Sequence, residues 1–126
     1  MKSFGSPLSN RILATCWLSL AVLLGGCHSY RIDATVENHT GGAITQLEVD
    51  YPSASFGANS LAADAVFHYR FQVRGTGPVK VQYTSADGRQ VQITGPTLHE
   101  KHEGGLNIVL APAGKAAFQV ELNPRD

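Results

Sequence analysis

The chain reads as an all-β protein, an immunoglobulin-like antiparallel β-sandwich of about seven strands, with a small closed β-barrel as the alternative. Three observations carry this reading. From His28 onward apolar residues recur at every second position, no stretch holds a 3.6-residue period, and clusters of Gly, Pro, Asn, Asp and Ser break the alternation about every eight to twelve residues. Alternation leaves each strand one apolar face, which two sheets hide by stacking and one sheet hides by closing on itself.

Tyr30 to Glu37 opens the domain, with Ile32, Ala34 and Val36 on one face and Arg31, Asp33, Thr35 and Glu37 on the other. Asn38-His39-Thr40-Gly41-Gly42 then supplies turn residues that tolerate positive φ. The second strand, about Ile44 to Tyr51, aims Leu47, Val49 and Tyr51 inward. Ile44 lies out of phase with Leu47, and a bulge near Thr45 or Gln46 reconciles them. Pro52 lacks an N–H, and Ser53-Ala54-Ser55-Phe56-Gly57-Ala58-Asn59 is rich in turn formers, so a loop is expected. Tyr51 and Phe56 are the candidate binding-loop residues, because aromatics among small residues suit adaptable recognition; the competing reading folds Phe56 back as a plug over the core.

Asp64 to Arg74 alternates cleanly, with Phe67, Tyr69, Phe71 and Val73 toward the core and Val66, His68, Arg70, Gln72 and Arg74 away from it. Gly75-Thr76-Gly77-Pro78 turns it into Val79 to Thr84, which buries Val79, Val81 and Tyr83. Asp87-Gly88 between alternating runs is a strong hairpin signal, leading to Arg89 to Thr94 with Val91 and Ile93 inward. After Gly95-Pro96 a polar stretch from Thr97 to Gly105 precedes Leu106 to Leu110. Ala111-Pro112-Ala113-Gly114 then turns the chain into Ala116 to Leu122, with Phe118, Val120 and Leu122 inward.

The chain has 126 residues, ten basic and ten acidic. Residues 1–26 hold Lys2 and Arg11 and no acid, so 27–126 keep eight basic and ten acidic residues, a net charge of minus two. No basic stripe addresses nucleic acid, and no highly charged, apolar-poor segment demands disorder. The first 26 residues have the layout of a cleaved secretory signal: a polar basic lead, an apolar run from Ile12 to Leu24, then small residues. The run is 13 residues long, against roughly 20 for a spanning helix.

Leu24-Gly25-Gly26-Cys27 resembles the lipobox of bacterial lipoproteins. That resemblance implies a diacylglycerol group on the Cys27 thiol, cleavage before Cys27, and a mature domain of residues 27–126 held to the membrane by its acyl chains. His28, rather than Asp, after the cysteine implies passage to the outer membrane, facing the periplasm. Cys16 is removed with the leader, so no disulfide is expected in the mature chain. Asn38-His39-Thr40-Gly41-Gly42 with Ile44, Tyr51-Pro52 and Phe56-Gly57 resembles small bacterial envelope proteins of sandwich type, a likeness that transfers no activity.

The densest group of chemically able side chains is His99-Glu100-Lys101-His102-Glu103. Imidazoles and carboxylates suit Zn²⁺, Cu²⁺ or Ni²⁺, and His99 and His102 are the candidate metal ligands, with His28, His39 or His68 to complete a site if the fold brings one near. The competing reading is a solvated polar turn. No nucleophile elbow or phosphate loop is present, so neither an enzyme nor a cofactor is expected. The function expected is that of a non-enzymatic, lipid-anchored envelope module whose partners are the membrane, through Cys27, and another envelope protein; the alternative is a periplasmic metal-binding lipoprotein.

Overall fold

The computed structural model describes residues 29–123; the expected leader, with the lipobox-like Leu24-Gly25-Gly26-Cys27 and His28, lies outside them. The described residues form eight strands: β1 Ile32–Asn38, β2 Ile44–Tyr51, β3 Ala54–Leu61, β4 Val66–Phe71, β5 Gly77–Thr84, β6 Gln90–Leu98, β7 Gly104–Ala111 and β8 Lys115–Leu122. They make two four-stranded sheets, ordered β4-β1-β7-β8 and β3-β2-β5-β6, and hydrogen bonding does not continue from one into the other. A β-sandwich therefore forms, not a closed barrel. All neighbours are antiparallel except β1 and β7, which run parallel in register from Ile32 beside Gly104 to Asn38 beside Leu110. The parallel pair is possible because the intervening chain crosses to the other sheet and back, the long connection that parallel neighbours need.

Central strands supply the core. Ile32 and Val36 of β1, Ile44 and Val49 of β2, Val79 and Val81 of β5, and Ile108 and Leu110 of β7 have no exposed surface. Each such side chain contributes about 1.5–3 kcal/mol of burial. Edge strands are less covered, which leaves Tyr69 of β4 at 42% and Val120 of β8 at 44% exposure, although both sit on rows read as inward-facing.

The bulge lies where the phase of Ile44 and Leu47 requires it. The β2–β5 register shifts between Thr45 and Glu48, and Gln46 takes a φ of 53°. The expected loop at 53–59 is instead β3, paired with β2 from Tyr51 beside Ala54 to Ile44 beside Leu61. Its turn-rich composition is tolerated at a sheet edge, and one glycine is required there: a Cβ on Gly57 would lie 2.0 Å from the Leu47 carbonyl oxygen. β4 is shorter than the alternation implies, ending at Phe71, yet Val73 beyond it remains buried. β6 is longer and runs through Gly95-Pro96 to Leu98, absorbing an irregularity opposite Pro78 to Lys80. Gly95 is there because the Phe118 ring lies over it, 2.6 Å from where a Cβ would be.

Candidate functional site

Strand directions sort the loops onto two ends. β1 starts, β2 ends, β6 ends and β7 starts at the end where residues 29–31 enter, which also carries the 99–103 turn. The opposite end carries residues 39–43, 62–65, 85–89 and 112–114.

At the entry end, the turn between Leu98 and Gly104 is closed by two hydrogen bonds. His102 N–H donates to the His99 carbonyl at 3.2 Å, and His99 N–H donates to His102 Nδ1 at 3.2 Å. Lys101 takes a φ of 68° to complete the reversal. Gly104, at φ 137°, donates to the Arg31 carbonyl, and a Cβ on it would sit 2.1 Å from the Glu121 carbonyl oxygen. Glu100 accepts from Gly75 N–H at 2.8 Å, tying the turn to the β4–β5 connection.

His99 and His102 are neighbours within the turn, with ring centroids 5.1 Å apart and edge to face. Burial first, and the neighbouring His99 second, pushes the His102 pKa below its usual value, favouring the neutral ring. Because Nδ1 accepts the His99 amide, the neutral ring carries its proton on Nε2. A metal ion on either nitrogen of His102 would therefore cost that turn-closing hydrogen bond. Among the described residues no group of three or more His, Cys, Asp or Glu side chains is placed to hold a metal. His39 lies at the far end of β1, about 20 Å along the strand, with Nε2 3.3 Å from Glu37 and Nδ1 3.4 Å from Asp64. His68 pairs across from Thr35 on the outer face.

Tyr51 and Phe56 do not form a binding loop. Both are strand residues, Phe56 buried and Tyr51 half-buried, because pairing of β3 with β2 turns them toward β4. Phe56 stacks on Tyr69 at 4.5 Å, and Tyr51 stacks on Phe71 at 4.1 Å. These rings close the gap between the β3 and β4 edges, so the plug reading of Phe56 holds with a strand as its carrier. Desolvation raises the Tyr51 pKa accordingly.

The outer face of the β4-β1-β7-β8 sheet is a hydrogen-bonded polar grid. Arg70 bonds Asp33 at 2.6 Å, Thr35 donates to Asn107 at 2.5 Å, and Asn107 donates to Gln119 at 3.1 Å. Hydrogen bonds from Asn107 and His39 hold Glu37 below the usual carboxylate range. At the end away from residues 29–31, loop residues 40–42, 85–89 and 111–114 surround an open cleft of about 490 Å³ with Tyr83 and Val91 among its lining residues. Ser85 and Asp87 hydrogen-bond within its rim and depress the Asp87 pKa.

The residue that reasoning from sequence missed is Asn38, which reads as a turn former and is fully buried. Its amide nitrogen donates to the carbonyls of Gly42, Leu61 and Ala62, and its oxygen accepts from the Thr40 amide and hydroxyl. Its main chain accepts from Asp64 and donates to Ala65. One side chain thus fixes two of the loops beside the cleft end. Asn is the type that satisfies both donor and acceptor demands without charge, which is the signal in the sequence, but the acceptors come from residues far along the chain.

No protein-family model matches the chain, and no curated protein matches it by sequence. Among solved structures, the NMR structure of a protein from Eubacterium rectale superposes with a TM-score of 0.54 at 13% identity, covering 80% of this chain and all of that one. That likeness concerns the fold alone.

Proposed function

We propose that the protein is a lipid-anchored, non-enzymatic module of the bacterial cell envelope that presents the loop end of its sandwich, or an open strand edge, to another envelope component. The observation that carries the reading is Leu24-Gly25-Gly26-Cys27 at the end of a short apolar leader. Acyl chains on Cys27 would give a durable anchor, each buried CH₂ contributing about 0.8 kcal/mol. Residues 28–31 separate Cys27 from β1, so an extended tether spans at most about 18 Å from Cys27 to Ile32. In this reading the 99–103 turn faces the bilayer and the cleft of residues 40–42, 85–89 and 111–114 faces away, where a partner can reach it.

In-cell cross-linking of the tagged, acylated chain, read by mass spectrometry against Cys27→Ser, tests this. A stoichiometric partner lost with the anchor is the expected result; nothing above background would count against it. The meeting of the His99 and His102 rings favours a second reading, a periplasmic metal-binding lipoprotein. A Zn²⁺- or Cu²⁺-dependent rise in melting temperature that disappears in His99→Ala/His102→Ala would support it, and no shift at saturating metal would remove it.

A further inference from the structure

Among the described residues four strands border the two sheets, and each turns a row of backbone N–H and C=O groups away from its one ladder neighbour there. Three of these edges are blunted. β6 holds Pro96, which has no N–H, and an irregular register. β3 holds Gly57 and presents mostly small or polar side chains. β4 has six residues, with His68 and Arg70 on its outer row and no carboxylate, so two copies side by side would not pair opposite charges.

β8 has no such break in its ladder. Lys115–Leu122 runs beside β7 in unbroken register from Ala111 beside Lys115 to Gly104 beside Leu122. It contains no Gly or Pro, and its inner row of Ala116, Phe118, Val120 and Leu122 carries no charge. Val120 on that row remains 44% exposed.

Residues 115–121, Lys-Ala-Ala-Phe-Gln-Val-Glu, are complementary to their own reversal. We propose that β8 is the docking edge for a second copy of this chain, two β8 strands pairing antiparallel about a two-fold axis at Phe118 and joining two β4-β1-β7-β8 sheets into one. In that register Lys115 opposes Glu121 of the second copy at both ends of the outer face, and Val120 opposes Ala116 on the inner face. Opposed positions differ by an even number, so paired side chains share a face and the outward backbone groups match. A slip of two residues in either direction sets Lys115 against Gln119 or Asn123 and loses both ion pairs, which makes the Phe118-centred register the specified one. The Phe118 ring is already drawn over Gly95, so the two backbones can approach on the axis. The pairing needs no acyl group and stands or falls independently of the anchor.

Sedimentation velocity of the full chain, purified in detergent over a wide concentration range, tests the proposal. The expected result is a monomer–dimer equilibrium whose dissociation constant rises about tenfold in Lys115→Glu and in Glu121→Lys, since each reversal sets like charges opposite twice. The doubly swapped Lys115→Glu/Glu121→Lys chain is expected to return to within about threefold of the starting value. Val120→Lys places a charge on the inner row of an exposed edge and is expected to abolish the dimer with the circular dichroism spectrum unchanged. A monomer at every concentration overturns the proposal, as does a dimer indifferent to both charge reversals.

Discussion

Replacing Asn38 with Ala removes five hydrogen bonds from a side chain with no exposed surface. The bond to Leu61 is buried, and removing a buried hydrogen-bond donor costs about 1–3 kcal/mol. The bonds to Gly42, Ala62 and Thr40 are part-buried and open to water, where the net loss is about 0.5–1.5 kcal/mol each. Allowing for water replacing several of them, the expected destabilisation is about 3–5 kcal/mol, a large share of the roughly 5–15 kcal/mol typical of a domain. Urea unfolding followed by circular dichroism measures it, since the lone tryptophan, Trp17, lies outside the described residues and does not report on the sandwich. Exposed Asn59→Ala is the control and should stay within about 0.5 kcal/mol. Asn38→Asp sharpens the test: a carboxylate facing three carbonyls should raise its own folded pKa, so the variant is least stable near neutrality and regains stability as the pH falls through that raised value. A loss below about 1 kcal/mol in Asn38→Ala would refute the claim that this residue holds the loop end together.

Other outcomes follow from the same structure. Gly57→Ala should destabilise by more than about 2 kcal/mol in urea unfolding, because the Leu47 carbonyl 2.0 Å from the new Cβ is backbone and cannot step aside. Phe56→Ala should cost about 3–5 kcal/mol as a core truncation, whereas an aromatic of a solvent-facing binding loop would cost under about 0.5 kcal/mol in the same assay. The His102 pKa is lowered in the folded state, so the unfolded chain takes up its proton first, and this residue's contribution to stability should decline as the pH falls from about 6.5 toward the folded value. Subtracting the pH profile of His102→Gln from that of the unaltered chain isolates the effect; a flat difference between pH 7 and 5 would contradict it.

What the sequence revealed tracks how local each cause is. The phase break between Ile44 and Leu47 announced the bulge at Gln46, because a period-two pattern cannot shift by three without an extra residue. Asp87-Gly88 announced its hairpin because the turn requires positive φ, found at Gly88. β3 was hidden because Gly57 and Asn59 are poor strand formers, and only pairing with β2, itself held by β5, keeps the segment extended. Tyr69 lies on the correct row of β4 but at a sheet edge, and strand order is what decides such coverage. At the candidate site, the 99–103 turn was visible in its polar composition and its imidazoles do meet. The role of Asn38 was invisible, because three of its partners lie at Leu61, Ala62 and Asp64.

The parallel β1–β7 pair places the start of β1, the 99–103 turn and the end of β8 together, and this gives the fold a polarity that an anchor at Cys27 would use. One end would be tethered close to the bilayer, while the end organised by Asn38 would be offered to the periplasm. The polar grid of Arg70, Asp33, Thr35, Asn107 and Gln119 faces solvent along the side, and the open β8 edge lies beside it.

The proposed anchor is tested most directly by the intact mass of the protein extracted from membranes of bacteria expressing the full chain, compared with Cys27→Ser. A mature chain beginning at residue 27 and heavier by a diacylglyceryl group, absent from the variant, is the predicted result. An unmodified Cys27 in a chain beginning elsewhere would contradict it.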